Sequence, residues 1–221
     1  LDFWGKVRFS KLFQLFKNSF YYGLGGLVQK FLSIILLPIY TRYLSPEDYG
    51  IIALMAIFTM VVATITMLGL TNGISRYFYY TDEEKTTRDE VVCTPLLLVI
   101  IFTLVVIAII IGYSDTFSRL LFDTSEYSYL IEIAACTIFF SNIFSIGHSV
   151  LIFEERVWTV NIITIGNVLI GALSGITLVV YFDRGVNGVF ESALITSILI
   201  SLVIFFVTLR KYRMKFDKYI L

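Results

Sequence analysis

The chain has 221 residues, 57% hydrophobic and 15% charged, with 17 basic side chains against 17 acidic ones and a mean hydropathy of +0.84. A soluble domain carries about 25% charged residues, so this composition excludes one and indicates an integral membrane protein. Zero net charge gives no footing for nucleic acid, and two cysteines inside apolar stretches, Cys93 and Cys136, exclude a disulfide framework or a thiolate metal site and are expected as free thiols.

Residues 1–18 carry Phe9, Leu12, Phe13 and Phe16 at helical spacing, with Lys6, Arg8, Lys11 and Lys17 largely elsewhere on the wheel. That pattern predicts a short helix lying on the inner membrane surface. The start lacks the apolar core and small-residue cleavage site of a secretory signal. It also begins at Leu1 instead of Met, so the native start is expected elsewhere.

Apolar runs of about 20 residues predict six spans, near 19–40, 48–72, 91–113, 127–152, 157–181 and 186–209, joined by short polar connections. With the N-terminus inside, the inner segments hold Lys6, Arg8, Lys11, Lys17, Arg76, Lys85, Arg88, Arg156, Arg210, Lys211, Arg213, Lys215 and Lys218, and the outer loops only Arg42, Arg119 and Arg184. This asymmetry predicts that both termini are cytoplasmic. Tyrosines cluster near the span ends, where an amphipathic ring favours the headgroup layer.

In the first outer turn, TRYLSPEDYG, Ser45 is expected to cap the following helix, Pro46 to suit its first turn, and Glu47 and Asp48 to complement its dipole. The chain has no detectable repeat, low-complexity segment or long linker. Its domain organisation is therefore read as an interfacial segment (1–18), a six-helix lobe (19–209) and a basic tail (210–221).

Small and polar residues at helical spacing mark faces turned toward other helices or a cavity. The first span gathers Tyr22, Gly23, Gly26, Gln29, Lys30 and Ser33 on one side. The second offers Thr59, Thr66, Gly69, Gly73 and Arg76, the fourth Thr137, Ser141, Ser145 and His148. The fifth offers Asn161, Thr164, Asn167, Gly171, Ser174 and Gly175, with a GxxxG spacing in GALSG. The bland meaning of the Gly, Ser and Thr members is a packing seam. His148 reads as hydrogen-bonded or interfacial, and Glu132 and Glu191, about five residues inside the outer helix ends, as meeting solvent or pairing with a lysine.

Lys30 stands apart. It lies about eleven residues, or roughly 16 Å, from the inner end of its span, where a cation costs about 2.5–3.5 kcal/mol on insertion scales and usually faces protein or water. A cavity-facing role is weighed here against an ion pair with Glu132 or Glu191. Arg76 is the weaker candidate, since an arginine at an inner helix end is usually an ordinary topology anchor.

The run KNSFYYGLGGLVQKFLSIILLPIYTRYLSPEDYGIIAL, followed by GLTNGISRYFYY after the second span, resembles the start of polysaccharide biosynthesis proteins of the O-antigen flippase type, in the multidrug, oligosaccharidyl-lipid and polysaccharide exporter superfamily. The likeness is most specific over residues 17–80. It implies an all-α polytopic fold in which two helical bundles face each other across a cavity that opens alternately to the two sides. It further implies a polyprenyl-diphosphate-linked oligosaccharide as cargo and basic cavity residues that hold the diphosphate. Lys30 and, less directly, Arg76 stand at the matching positions, with Gln29, Asn161 and Asn167 as further head-group contacts.

Family members carry twelve to fourteen helices and this chain six, so the expectation is one lobe, with the second on a continuation or a partner chain. Neither a cofactor nor a catalytic residue is expected. A multidrug exporter of the same superfamily is the nearest alternative, but cationic substrates call for acidic groups in the cavity and the first span offers a lysine. A membrane transferase would need metal-binding acids near the surface; no DxD pair occurs, and DEEK at 82–85 reads as a solvated charge run. A structural membrane subunit, with Lys30 in an ion pair, is the third reading.

Overall fold

A computed structural model describes residues 23, 25–67, 69–70, 73–76 and 88–211. The expected surface helix over 1–18, the DEEK run and the tail beyond Lys211 lie outside these residues.

The described residues form helices and turns. In chain order the helices are α1 (Gly25–Tyr40), α2 (Pro46–Met67), α3 (Arg88–Gly112), α4 (Ser114–Phe122), α5 (Ser128–Phe153), α6 (Val157–Ile176) and α7 (Gly185–Val207), closed by a 3-10 turn at Leu209–Lys211. Five of them, α2, α3, α5, α6 and α7, are long and apolar enough to cross a membrane, and α1 is a shorter apolar helix. The buried clusters join the end of one span to the start of the next, as Met67 with Val91, Ile110 with Leu130 and Val150 with Val160, so neighbouring spans run antiparallel. One end of the lobe therefore carries Ser45, Ser114, Tyr129 and Gly185, and the other carries Arg76, Glu154 and Lys211.

α5 is the central post: half of its spanning stretch is buried, against 17–33% for the other four. Its buried small residues Ala134, Ala135 and Gly147 let neighbours approach closely, which is how helices associate where no water drives them together. Around it lie two cores. Toward the Glu154 end, Ile146, Val150 and Leu151 pack with Val91, Val160 and Ile204. Toward the Tyr129 end, Leu130, Ile131 and Ile138 pack with Met55, Ile107 and Val186.

Between the cores sits an amide. Asn142 of α5, 3% exposed, donates to the Thr66 hydroxyl of α2 (2.9 Å) and the Thr103 hydroxyl of α3 (3.0 Å). A polar group in hydrocarbon must find a partner inside the protein, and this one joins three helices.

The helix starts follow local chemistry. Ser45 Oγ accepts from the Asp48 N–H (3.2 Å) while the Ser45 N–H donates to Asp48 Oδ2 (2.8 Å), a reciprocal cap in which aspartate takes the usual glutamate position. It opens α2 at Pro46, two residues before the expected start. Two features go beyond the sequence reading. The connection after α3, read as a polar loop, contains α4, and α6 ends in a widened π turn at Thr177–Tyr181. The turn is closed by Phe182 N–H to the Thr177 carbonyl (3.1 Å) and Arg184 N–H to the Leu178 carbonyl (3.1 Å), with Asp183 at φ 51°.

Candidate functional site

Two places on the lobe carry the polar stripes. The first is a cleft of about 410 Å³ between α2, α5 and α7. α2 presents Ile52, Ala56, Thr59 and Ala63, α5 presents Ala134, Thr137 and Ser141, and α7 presents Val189, Phe190 and Ala193. The spacings of three, four and seven residues put each set on one helix face. Thr59 donates to the carbonyls of Met55 (2.9 Å) and Ala56 (3.0 Å), and Thr137 to that of Ile133 (2.8 Å). Those hydroxyl protons are committed to their own helices, and no lining residue is charged. The cleft can therefore hold hydrocarbon or a weak donor, and it offers nothing to neutralise a phosphate.

The second place is where α1 meets α6. A methyl added at Gly25 would come within 3.0 Å of Thr164 Cγ2 and 3.2 Å of Asn161 Oδ1, so the α1 backbone rests directly on these side chains. Thr164 is bonded to His148 Nε2 of α5 (3.2 Å), and the His148 ring lies 5.2 Å from that of Phe144. At the other end of α1, the Tyr40 hydroxyl sits against Gly175 of α6, with Ser192 of α7 beside it. Gly25, Leu32, Leu36 and Tyr40 thus form the packing edge of α1, all buried or half-buried.

Lys30 lies about 140° round the helix from Gly25 at 100° per residue, and its side chain is exposed. Gln29, about 40° round, is also exposed, and its carbonyl accepts from Ser33 Oγ (3.0 Å). Lys30 has Gly26 and Ser33 on one side and Leu27 and Ile34 on the other. Among the described residues, no carboxylate lies within ion-pair distance of Lys30. The two acids weighed as partners are engaged elsewhere. Glu132 accepts from Ser114 Oγ (3.0 Å), and Glu191 takes a two-pronged contact from Arg184 (2.9 and 3.1 Å) and a hydrogen bond from the Tyr129 hydroxyl (3.2 Å).

The remaining candidates are spread out. Asn161 is buried beneath α1 at the Gly25 seat. Asn167 is half-buried on the face of α6 that carries Gly171 and Ser174, the residues that meet Thr196 of α7. Arg76 is exposed at the Glu154 end, beside buried Ile74. Gln29 and Lys30 therefore stand together on α1, while Arg76, Asn161 and Asn167 occupy three other settings; none of the five lines the cleft. The sequence reading passed over Asn142, although an amide in the apolar string IFFSNIFS calls for a partner at its own depth. It also passed over the apolar wall supplied by Met60 and Phe190.

A family model described as polysaccharide biosynthesis protein matches residues 15–221. The chain belongs to that family. Among curated proteins no relative matches. Among solved structures, this polysaccharide biosynthesis family chain is similar to an outward-facing multidrug resistance MATE family transporter of the MOP superfamily. The TM-score is 0.71 at 18% identity, over 91% of this chain and 48% of that one. It is equally similar to a MOP superfamily transporter from Pyrococcus furiosus described as having a binding pocket of reverse polarity that suggests a different function (TM-score 0.73, 18% identity, 91% and 48% covered). A third likeness is to MATE in the straight conformation (TM-score 0.73, 17% identity, 92% and 47% covered). The chain spans about half the length of these structures, and the likeness is one of fold: an all-helical lobe matching half of a larger transporter.

Proposed function

We propose that this chain is the N-terminal lobe of a flippase that moves a polyprenyl-diphosphate-linked oligosaccharide from the inner to the outer leaflet by alternating access. Family membership and the half-transporter fold support a two-lobe membrane transporter. The observation that carries the cargo assignment is the Lys30 ammonium, in the middle of an apolar helix, exposed and without an acidic partner among the described residues. In a bilayer such a group needs water or an anion.

In this reading Lys30 and Gln29 face the cavity between the lobes and take the diphosphate and the first sugar, while the prenyl tail stays in lipid. Asn161 acts by seating α1, Asn167 lies deeper in the α6–α7 seam, and Arg76 receives phosphate at the inner end. The lobe sits in the inner (plasma) membrane with the Glu154 end cytoplasmic, since Arg76, Arg156, Arg210 and Lys211 gather there. Rocking against the second lobe then exposes the site outward.

A second reading, export of amphipathic drugs, is favoured by one feature, the uncharged cleft between α2, α5 and α7. One experiment separates the two. Lys30→Ala and Lys30→Arg are placed in the two-lobe protein at matched expression, and both lipid-linked oligosaccharide translocation and dye efflux are measured. The flippase reading expects Ala to abolish translocation and Arg to retain part of it. Translocation undiminished by Ala rejects Lys30 as the head-group contact, and dye efflux that Lys30→Ala leaves intact favours the exporter.

A further inference from the structure

The chain does not simply turn between α3 and α5. Only Tyr113 separates the end of α3 at Gly112 from the start of α4 at Ser114, and α5 begins at Ser128. α4 therefore lies at the level of the ends of two spans. Its nine residues reach only about 13 Å, far short of a membrane crossing.

One face of α4 is fixed to the lobe. Phe117 and Leu121 pack on the core, with the Phe117 ring 5.9 Å from that of Phe58 on α2. Ser118, fully buried, donates to the Thr124 carbonyl (2.7 Å) and accepts from the Tyr127 N–H (3.2 Å). Asp123, in the left-handed conformation, ends the helix. The face is held too firmly to be a loop that samples many positions.

Among the described residues none covers the other face. Leu120 is 77% exposed and Tyr113 63%, and they continue the exposed apolar surface of α3 at Ile109 and Ile111. Arg119 is exposed beside Leu120. Among the described residues no carboxylate lies within ion-pair distance of its guanidinium, and Asp115, one turn earlier, accepts instead from the Ser128 hydroxyl.

We propose that α4 is a membrane-interface anchor, with Leu120 resting in the acyl boundary of the leaflet at the Tyr129 end and Arg119 on a phospholipid phosphate. The occupant is lipid because this face continues the lipid-facing surface of α3 at headgroup depth. A helix that pairs an aliphatic side chain with an adjacent guanidinium matches the two chemistries that meet there. A guanidinium in that layer can hydrogen-bond a phospholipid phosphate through two parallel N–H groups. Through Phe117 and Phe58 the anchor also sets the depth at which α2, a wall of the cleft, sits in the bilayer. None of this depends on what the transporter carries.

The test uses the two-lobe protein with Cys93, Cys136 and any cysteine of the second lobe replaced by alanine, in bilayers of phosphatidylcholine and phosphatidylglycerol. A nitroxide is attached to Leu120→Cys, with Ile101→Cys as the mid-span reference and Glu126→Cys as the water reference. Oxygen and a water-soluble nickel chelate report the depth. The expected result is a label at 120 several-fold more accessible to oxygen than the label at 126, at a depth between the two references. A label at 120 that behaves like 126 overturns the proposal, as does one shielded from both relaxants, which means that protein covers the face. Bilayers of a phosphate-free glycolipid, and separately Arg119→Gln, are expected to move the label outward; an unchanged depth in both rejects the phosphate contact.

Discussion

The hydroxyl of Tyr40 on α1 occupies the space that any side chain at Gly175 on α6 would need, and Ser192 Oγ of α7 lies 3.5 Å from the same point. Three helices converge on a residue that can only be glycine while Tyr40 stays in place. Gly175→Ala is expected to push Tyr40 out and to destabilise the lobe by about 1–3 kcal/mol, the range for overpacking a filled site. Tyr40→Phe removes the oxygen that a methyl would meet, so the double variant should recover part of the loss. Thermal unfolding of the purified chain in detergent measures both; an alanine variant as stable as the parent means that α1 does not pack here.

Asn142 gives a second, independent measurement. Its amide bridges Thr66 and Thr103 in the middle of the lobe, and a hydrogen bond between membrane helices contributes about 0.6 kcal/mol on average and about 1.7 at most. Asn142→Leu is therefore expected to cost about 1–2 kcal/mol. Asn142→Asp should cost more, because a carboxyl keeps at most one donor for two acceptors and places an acid where nothing compensates it. Thr66 donates to the Val62 carbonyl in either case, so Thr66→Val should be milder than either. Unfolding in mixed detergent gives the order; leucine and aspartate variants of equal stability contradict it.

What was legible in the sequence shares one property: it is local. The Ser45–Asp48 cap involves residues three apart, and the small residues of GALSG have one obvious use, here the approach of Thr196 and Tyr40 to α6. α4 was obscure because nine residues give too little periodicity to separate a helix from a polar loop. The Asn142 bridge was obscure because its acceptors lie 76 and 39 residues away. Helical spacing placed Gln29 and Lys30 on one stripe but not the direction in which it faces. That direction follows from where Gly25 and Tyr40 dock on α6. Spacing likewise cannot tell a seat for another helix from an open wall, and Asn161 lies beneath α1.

The Arg184–Glu191 contact is geometrically good, two-pronged and joined by Tyr129, yet it should matter little to stability. The Arg184 side chain is 54% exposed and that of Glu191 13%, and a pair whose cation is open to solvent contributes about 0–1 kcal/mol. Glu191→Gln and Tyr129→Phe are each expected to shift stability by less than about 1 kcal/mol. A double-mutant cycle between Arg184→Gln and Glu191→Gln should give a coupling that shrinks as salt is raised. A large, salt-independent coupling would mean that this end of the lobe is covered and dry in the membrane.

Lys30 should separate stability from transport. It makes no ion pair among the described residues, and its side chain is exposed, so its removal breaks no salt bridge with a described residue. Surface substitutions away from special features stay within about 0.5 kcal/mol; in lipid the removal of an uncompensated cation can only help insertion. Lys30→Ala is accordingly expected to fold as well as the parent or better, while translocation of the anionic cargo falls. Lys30→Glu, which reverses the charge at the same place, should abolish translocation at equal expression. Thermal unfolding and translocation measured on the same preparations provide the test. If Lys30→Ala loses several kcal/mol of stability together with transport, the ammonium is a structural group whose partner lies outside the described residues, and the cargo site must be sought on another helix.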